Sequence, residues 1–208
     1  MDVVAVVGLG CVGLPLAVAF GKIKPTIEHD LSSAKLDNYR RNVDPSATVS
    51  ERDMRATTQL CFTSDASAPA KAGYIIVAVP TPIDAARKPD FGPLIHASES
   101  VGAQLRPGGT VIYGSTVYPG ATEEVCIPVL ERASGLRWQP DFHAGYSPER
   151  IHPGEQQHNL ANTVEVVGDD SRATLDRLAP LCGKVRTGRR VMDVKARVDT
   201  AARRASRL

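Results

Sequence analysis

Val3-Val4-Ala5-Val6-Val7-Gly8-Leu9-Gly10-Cys11-Val12-Gly13 is the stretch that decides the fold. A continuous apolar run reads as a strand buried on both faces. It leads straight into G-x-G-x-x-G, and Leu14–Lys22 follows as a helix with Pro15 near its start. That order is what a dinucleotide-binding βαβ unit needs. The first glycine turns the chain off the strand, the second lets backbone approach a pyrophosphate, and the third lets helix and strand pack. The pyrophosphate then rests on the unpaired N–H groups at the helix start. An acid is expected roughly 20 residues on to hold ribose hydroxyls. Asp30, closing Thr26-Ile27-Glu28-His29-Asp30, fills that place. A carboxylate there favours NAD over NADP because it repels a 2′-phosphate.

Working outward, strands and helices alternate. Lys24–Asp30, Gln59–Thr63, Tyr74–Pro80, Thr110–Tyr113, Phe142–Tyr146 and Thr163–Val167 read as strands. Between them, Ser32/Ser33 to Tyr39, a short helix after the turn at Asp44-Pro45-Ser46, Leu94–Leu105, Ala121–Ser134 and Ser171–Leu181 read as helices. The expected fold is α/β: a Rossmann-like, doubly wound, mostly parallel sheet with helices on both faces. Ligands of such sheets bind beyond the carboxyl ends of the strands. The loops at 8–13, 80–90, 114–120 and 147–154 all fall there and concentrate Pro, Gly and hydroxyl residues.

Composition narrows the function. The chain has 208 residues and a net charge of +2, which gives no global case for nucleic acid. No apolar run is long enough to span a bilayer. A core strand stands at the very start, so no secretory signal is expected and the reading is cytoplasmic. Cys11, Cys61, Cys126 and Cys182 are scattered with no C-x-x-C, so no metal site is expected and the cysteines read as free thiols. Cys61 and Cys126 read as small buried apolar residues. Charge is uneven: residues 184–208 carry nine Lys/Arg against two Asp/Glu, while the remainder carries 16 basic and 21 acidic residues. The division expected is a domain over 1–183 and a basic tail over 184–208, disordered or marginally helical. An amphipathic helix for an acidic partner is the other reading of the tail.

Four motifs, in order, carry a family resemblance: Gly8-Leu9-Gly10-Cys11-Val12-Gly13-Leu14-Pro15, Val77-Ala78-Val79-Pro80-Thr81-Pro82, Ser115-Thr116-Val117-Tyr118-Pro119-Gly120-Ala121-Thr122, and Tyr146-Ser147-Pro148-Glu149-Arg150-Ile151-His152-Pro153-Gly154. Over about residues 1–182 the chain resembles the UDP-sugar 6-dehydrogenases, in the branch that acts on UDP-N-acetylhexosamines, including the Vi-polysaccharide type. Other Rossmann dehydrogenases, such as 3-hydroxyacyl or 6-phosphogluconate types, lack S-P-E-R-I-x-P-G.

The resemblance implies a reaction: C6 of the sugar is oxidised twice with NAD, through a cysteine-bound thioester that water releases, in surface-polysaccharide synthesis. It implies that Thr116 helps position a catalytic water and that Glu149 acts as general base or orients water. On the residues alone, Glu149 reads as a surface partner of Arg150 and Thr116 as a turn or N-cap hydroxyl. For NAD, the implied set is Gly8, Gly10, Cys11, Val12 and Gly13 at the phosphates and Asp30 and Lys35 on the adenosine side. Pro80, Thr81, Ser115 and Thr116 belong to the nicotinamide side. The implied partners are NAD, a UDP-sugar, and either a second copy of the chain or a full-length relative.

Two departures stand out. Gly114 occupies a place where this branch usually has an acid. The family's nucleophilic cysteine, in G-F-G-G-x-C-x-P-K-D, has no counterpart, since no cysteine here is followed by Pro-Lys-Asp. The expectation is therefore a cofactor domain, truncated or out of register near residue 184 and inactive alone. A non-catalytic NAD(H)-binding module is the alternative.

Overall fold

The computed structural model describes residues 3–83 and 89–147, the segments 165–169 and 191–193, and the single positions Thr174 and Leu181. In chain order the regular elements are β1 (Val4–Val7), α1 (Gly13–Gly21), β2 (Thr26–His29), α2 (Ser33–Arg40), α3 (Glu51–Arg55), β3 (Leu60–Thr63), β4 (Tyr74–Val77), α4 (Gly92–Gly102), β5 (Thr110–Tyr113), α5 (Ile127–Ser134), β6 (His143–Tyr146), β7 (Glu165–Asp169) and β8 (Val191–Asp193). Among the described residues the strands form one sheet in the order β3-β2-β1-β4-β5-β6-β7-β8. Strands β3 through β6 pair in parallel, β6 and β7 antiparallel, and β7 and β8 in parallel. The reversal from 3-2-1 to 4-5-6 about β1 opens the crevice in which such sheets bind ligands.

Alternation along the strands feeds two cores. Ala5, Val7, Ile75, Val77, Val111 and Tyr113 face Leu94, Ala97 and Val101 of α4 and Ile127 and Leu130 of α5. Val4, Val6, Ile76 and Ile112 face Leu16, Ala17 and Phe20 of α1, and Leu181 joins them. Leu14 and Val18 of α1 pack with Leu36, Tyr39 and Met54 of α2 and α3. The doubly wound, mostly parallel architecture read from the sequence is the architecture present.

Several local readings need correction. The helix expected over Ala121–Ser134 begins as a π-helical turn, Thr122–Cys126, before α5. Pro128 has no N–H to give the Glu124 carbonyl, and its ring would crowd that carbonyl. The wider turn, closed by Ile127 N–H on the Thr122 carbonyl, relieves both. The helix α4 ends at Gly102 rather than Leu105, and tight bonds from Gln104 to Val101 and from Leu105 to Gly102 finish it. Cys61, expected inside, is exposed, while Cys126 is buried. β3 is the edge of the sheet, and the crossover turn Ala68–Lys71 packs on β2, leaving that position open. Within 184–208 the described residues are Val191–Asp193, which form β8 beside β7. Apart from Thr174 and Leu181, the expected helix Ser171–Leu181 lies outside the described residues, as do Glu149 and Cys182. No helix among the described residues is long and apolar enough to cross a membrane.

Candidate cofactor cleft

The loop leaving β1 is shaped by steric necessity. Gly8 adopts φ +103°, a conformation that L side chains rarely reach, and its N–H donates to the His29 carbonyl at 2.9 Å. At Gly13 a Cβ would lie 1.8 Å from the Gly8 carbonyl oxygen, so only glycine fits. Gly10 differs from both: a Cβ there would meet nothing within 4 Å, because the residue borders open space. The helix α1 follows without any side-chain cap on its first N–H groups, whereas Ser32 caps α2 and Ser50 caps α3. With no side chain capping it, and with only Leu14 N–H turned back onto the Gly10 carbonyl, this end of α1 suits an anion.

Asp30 ties this loop to the end of β2. Its Oδ2 accepts from Leu9 N–H and its Oδ1 from Ser32 N–H, both at 2.7 Å. Lys35 Nζ donates to the Leu9 carbonyl at 3.0 Å and stands 3.9 Å from Asp30 Oδ2. The carboxylate is thus fixed beside the glycine loop while bordering the cleft.

The opposite wall is braced by hydroxyls. Ser115 Oγ donates to the Val79 carbonyl at 2.6 Å, and Thr81 Oγ1 donates to the Thr116 carbonyl at 2.8 Å. The loops after β4 and β5 are therefore locked together. Tyr146 OH, from the end of β6, donates to the Val117 carbonyl and accepts from Val117 N–H, at 3.4 Å in each case. Thr116 itself is exposed, with its carbonyl held and its hydroxyl turned to none of the described residues' hydrogen-bonding groups.

These parts line one cleft of about 470 Å³. Gly8, Gly10, Cys11, Val12, Asp30, Lys35, Pro80, Thr81, Ser115 and Thr116 all border it, and Gly13 lies beneath the loop. Residues not singled out from the sequence complete the walls: His29, Leu31 and, from α4, Pro93, His96, Ala97 and Ser100. Helical spacing over 93–100 carries the signal for the α4 side, but only the fold shows which face meets the cleft. The chemistry fits NAD: open backbone at Gly10, uncapped amides, a fixed acid and an apolar slot. Among the described residues no cluster of His, Cys, Asp and Glu suits a metal ion.

Two buried titratable groups lie close by but outside the cleft. Glu28, in register with Val6 and Phe62, sits on the α1 face of the sheet with 0% exposure and, among the described residues, no hydrogen-bond partner for either oxygen. Burial pushes its pKa well above the ordinary value. The Asp30 charge adds to that rise, and Lys35 opposes it. Cys126 is held as a thiol: burial pushes its pKa up to about 11, against hydrogen bonds with Ser98 and Tyr113. A thiol so raised is a poor nucleophile at neutral pH.

Comparison with known proteins agrees with this geometry. Residues 2–184 match the family described as the UDP-glucose/GDP-mannose dehydrogenase family, NAD binding domain. The chain belongs to that family. A UDP-N-acetyl-D-glucosamine 6-dehydrogenase of Pseudomonas aeruginosa is 49% identical over 163 residues, covering 78% of this chain and 39% of that protein. Protein CapL of Staphylococcus aureus is 46% identical over 184 residues, covering 88% and 43%. The crystal structure of an NDP-N-acetyl-D-galactosaminuronic acid dehydrogenase from Methanosarcina mazei Go1 superposes with a TM-score of 0.86 at 27% identity, covering 93% of this chain and 44% of that one. The chain thus spans about two fifths of the length of these relatives, and what it shares with them is the NAD-binding domain.

Proposed function

We propose that this chain is the cofactor half of an NAD-dependent dehydrogenase that oxidises C6 of a UDP-N-acetylhexosamine to the uronic acid. The observation that carries the reading is the convergence on one cleft of the glycine loop, Asp30 and the paired loops bearing Thr81, Ser115 and Thr116. NAD supplies the hydride acceptor when bound. Gly8, Gly10 and Gly13, with the amides around Cys11 and Val12, hold the phosphates. Asp30 accepts from ribose hydroxyls, and Lys35 keeps Asp30 and the loop in place. Pro80, Thr81 and Ser115 shape the wall on which the nicotinamide half rests. Thr116, exposed at that wall, orients a water, and Glu149 serves as base or water-orienting group. On this reading the chain binds NAD but does not complete the oxidation alone, because no cysteine in it stands in the family's nucleophile motif. Its partners are a UDP-sugar and either a second copy or a full-length relative, in the cytoplasm.

Calorimetric titration with NAD, with NADP and UDP-N-acetylglucosamine as comparison ligands, tests the reading. Saturable NAD binding that is stronger than NADP binding and lost in Asp30→Ala is the expected result. A folded chain that binds no NAD overturns it.

A further inference from the structure

Thr116 is exposed, and branching at Cβ leaves its side chain few settings of χ1. The direction of its Oγ1 is therefore decided largely by the backbone that carries it. That backbone is held from two sides. The peptide group joining Thr116 to Val117 is planar and trans, so its carbonyl and its N–H point opposite ways. Thr81 Oγ1, from the loop after β4, donates to the carbonyl at 2.8 Å. Tyr146 OH, at the end of β6, accepts from the N–H at 3.4 Å. Because β5 lies between β4 and β6, the two bonds reach the group from opposite sides. The same Tyr146 hydroxyl donates to the Val117 carbonyl at 3.4 Å, so it touches two successive peptide groups. Its own place is set by the sheet: Tyr146 pairs in register with Tyr113, and its ring packs against the core under α4 and α5. Tyr146 does not border the cleft.

We infer that Tyr146 is a positioning residue for Thr116, working with Thr81 to aim the Thr116 hydroxyl at the water it orients. The inference rests on the function proposed above. One bond fixes a peptide group at a point and leaves it free to rock. Two bonds at its opposite ends fix its tilt as well. A group so held sets the torsions on either side of it, ψ at Thr116 and φ at Val117. With ψ fixed and χ1 restricted, Oγ1 has one direction to face. The Tyr146 bonds are long for their kind, so losing them frees the loop without undoing the fold. A phenol hydroxyl donates and accepts at once, and no other atom of the ring does either. The sequence also places Glu149 three residues beyond Tyr146. The strand end that holds Thr116 thus leads directly into the segment carrying the other residue assigned to the water.

The test compares isotopically labelled wild-type chain with Tyr146→Phe, Thr81→Val and Thr81→Ser by nuclear magnetic resonance. Thermal melts establish that each variant folds. Vicinal couplings from Thr116 Cγ2 to its backbone nitrogen and carbonyl carbon read χ1. In the wild type they should have the values of a single rotamer. In Tyr146→Phe and Thr81→Val they should move to the averaged values of exchanging rotamers. Thr81→Ser keeps the hydroxyl and should keep the wild-type couplings. The Val117 amide should exchange with solvent about three- to tenfold faster in Tyr146→Phe, as expected for loss of one hydrogen bond. Thr26, buried in β2, should keep its couplings in every variant, which separates a local aim from general loosening. Single-rotamer couplings at Thr116 in Tyr146→Phe, averaged couplings in the wild type, or an equal change at Thr26 overturns the inference. Averaged couplings in Thr81→Ser overturn the share given to Thr81. Calorimetry on the wild-type chain keeps the two readings apart. NAD binding together with any of those results overturns the positioning role alone, and failure to bind NAD overturns the proposed function and this inference with it.

Discussion

Glu28→Gln should remove a pH-dependent weakness from the fold. Glu28 lies in β2 between β1 and β3, with 0% exposure and neither carboxyl oxygen partnered among the described residues. A lone carboxylate cannot be stabilised there, so the folded state keeps the proton, and its pKa is raised well above 4.5 by burial and then by Asp30. The unfolded chain releases that proton near its ordinary value. Glu28 is therefore neutral in its effect below that value and increasingly destabilising above it, and the penalty levels off only once pH passes the folded-state value. Across that window the cost rises by about 1.4 kcal/mol per pH unit. Between about pH 5.5 and pH 7.5 it grows by up to about 2.7 kcal/mol if the folded carboxyl stays protonated throughout. Against a typical domain stability of about 5–15 kcal/mol this is a large share. Gln keeps the shape and the buried polarity but does not titrate. Urea unfolding followed by fluorescence of Trp138, the single tryptophan, reads the difference at a series of pH values. The stability of Glu28→Gln minus that of the wild type should widen with rising pH at close to that slope. A difference that is flat, or that shrinks as pH rises, refutes the reasoning and means that the carboxylate is satisfied in the folded protein.

The glycine loop offers a paired test. Gly13→Ala, whose Cβ would sit 1.8 Å from the Gly8 carbonyl, should lower the melting temperature by several degrees or prevent folding, whereas Gly10→Ala should melt like the wild type and still lose NAD affinity at least tenfold. Asp44 should make the segment before α3 sensitive to acid. Burial raises its pKa, but hydrogen bonds from Ser46, Val49 and Thr48 outweigh this and hold it below the ordinary range, so its contribution is present above the unfolded value and lost as pH falls through the folded one. Asp44→Asn should accordingly flatten the acid limb of thermal stability, read by melting between about pH 5 and pH 2.5.

The parts of this molecule legible in the sequence are those whose physics is local. The turn at Gly8, the close approach at Gly13 and the strand-to-helix order around them are set within a few residues. Asp30 follows at a distance that one βαβ unit dictates. Pro128 marks a backbone bond that must break within the helical run, but the π-helical form of the relief depends on packing and is not written in the sequence. Other features depend on distant neighbours. Thr26-Ile27-Glu28-His29 mixes polar residues onto both faces and resembles an exposed strand, yet β1 and β3 flank it and helices cover its Glu28 face. The fates of Glu28 and His29 follow from that enclosure and not from their own chemistry. Cys61 was misplaced for the converse reason: an apolar segment looks central until the sheet order makes it the edge.

The distribution of hydrogen bonds explains how a chain spanning about two fifths of its relatives' length can hold its cleft in shape. On one side Asp30 binds the backbone of both Leu9 and Ser32. On the other, hydroxyls of Ser115, Thr81 and Tyr146 each donate to a carbonyl on a neighbouring strand-end loop. Every one of these bonds joins a side chain to main chain, and both partners lie within residues 9–146. Their geometry therefore needs nothing from a second domain. Thr116 stands apart: its carbonyl is fixed by Thr81, but its side chain is exposed at the rim. The cleft walls are braced within this chain, while the side chain of Thr116 faces outward. On the function proposed above, such a division predicts that the chain alone keeps NAD affinity while showing no turnover, a pair of results that calorimetry and a reduced-cofactor absorbance assay read separately.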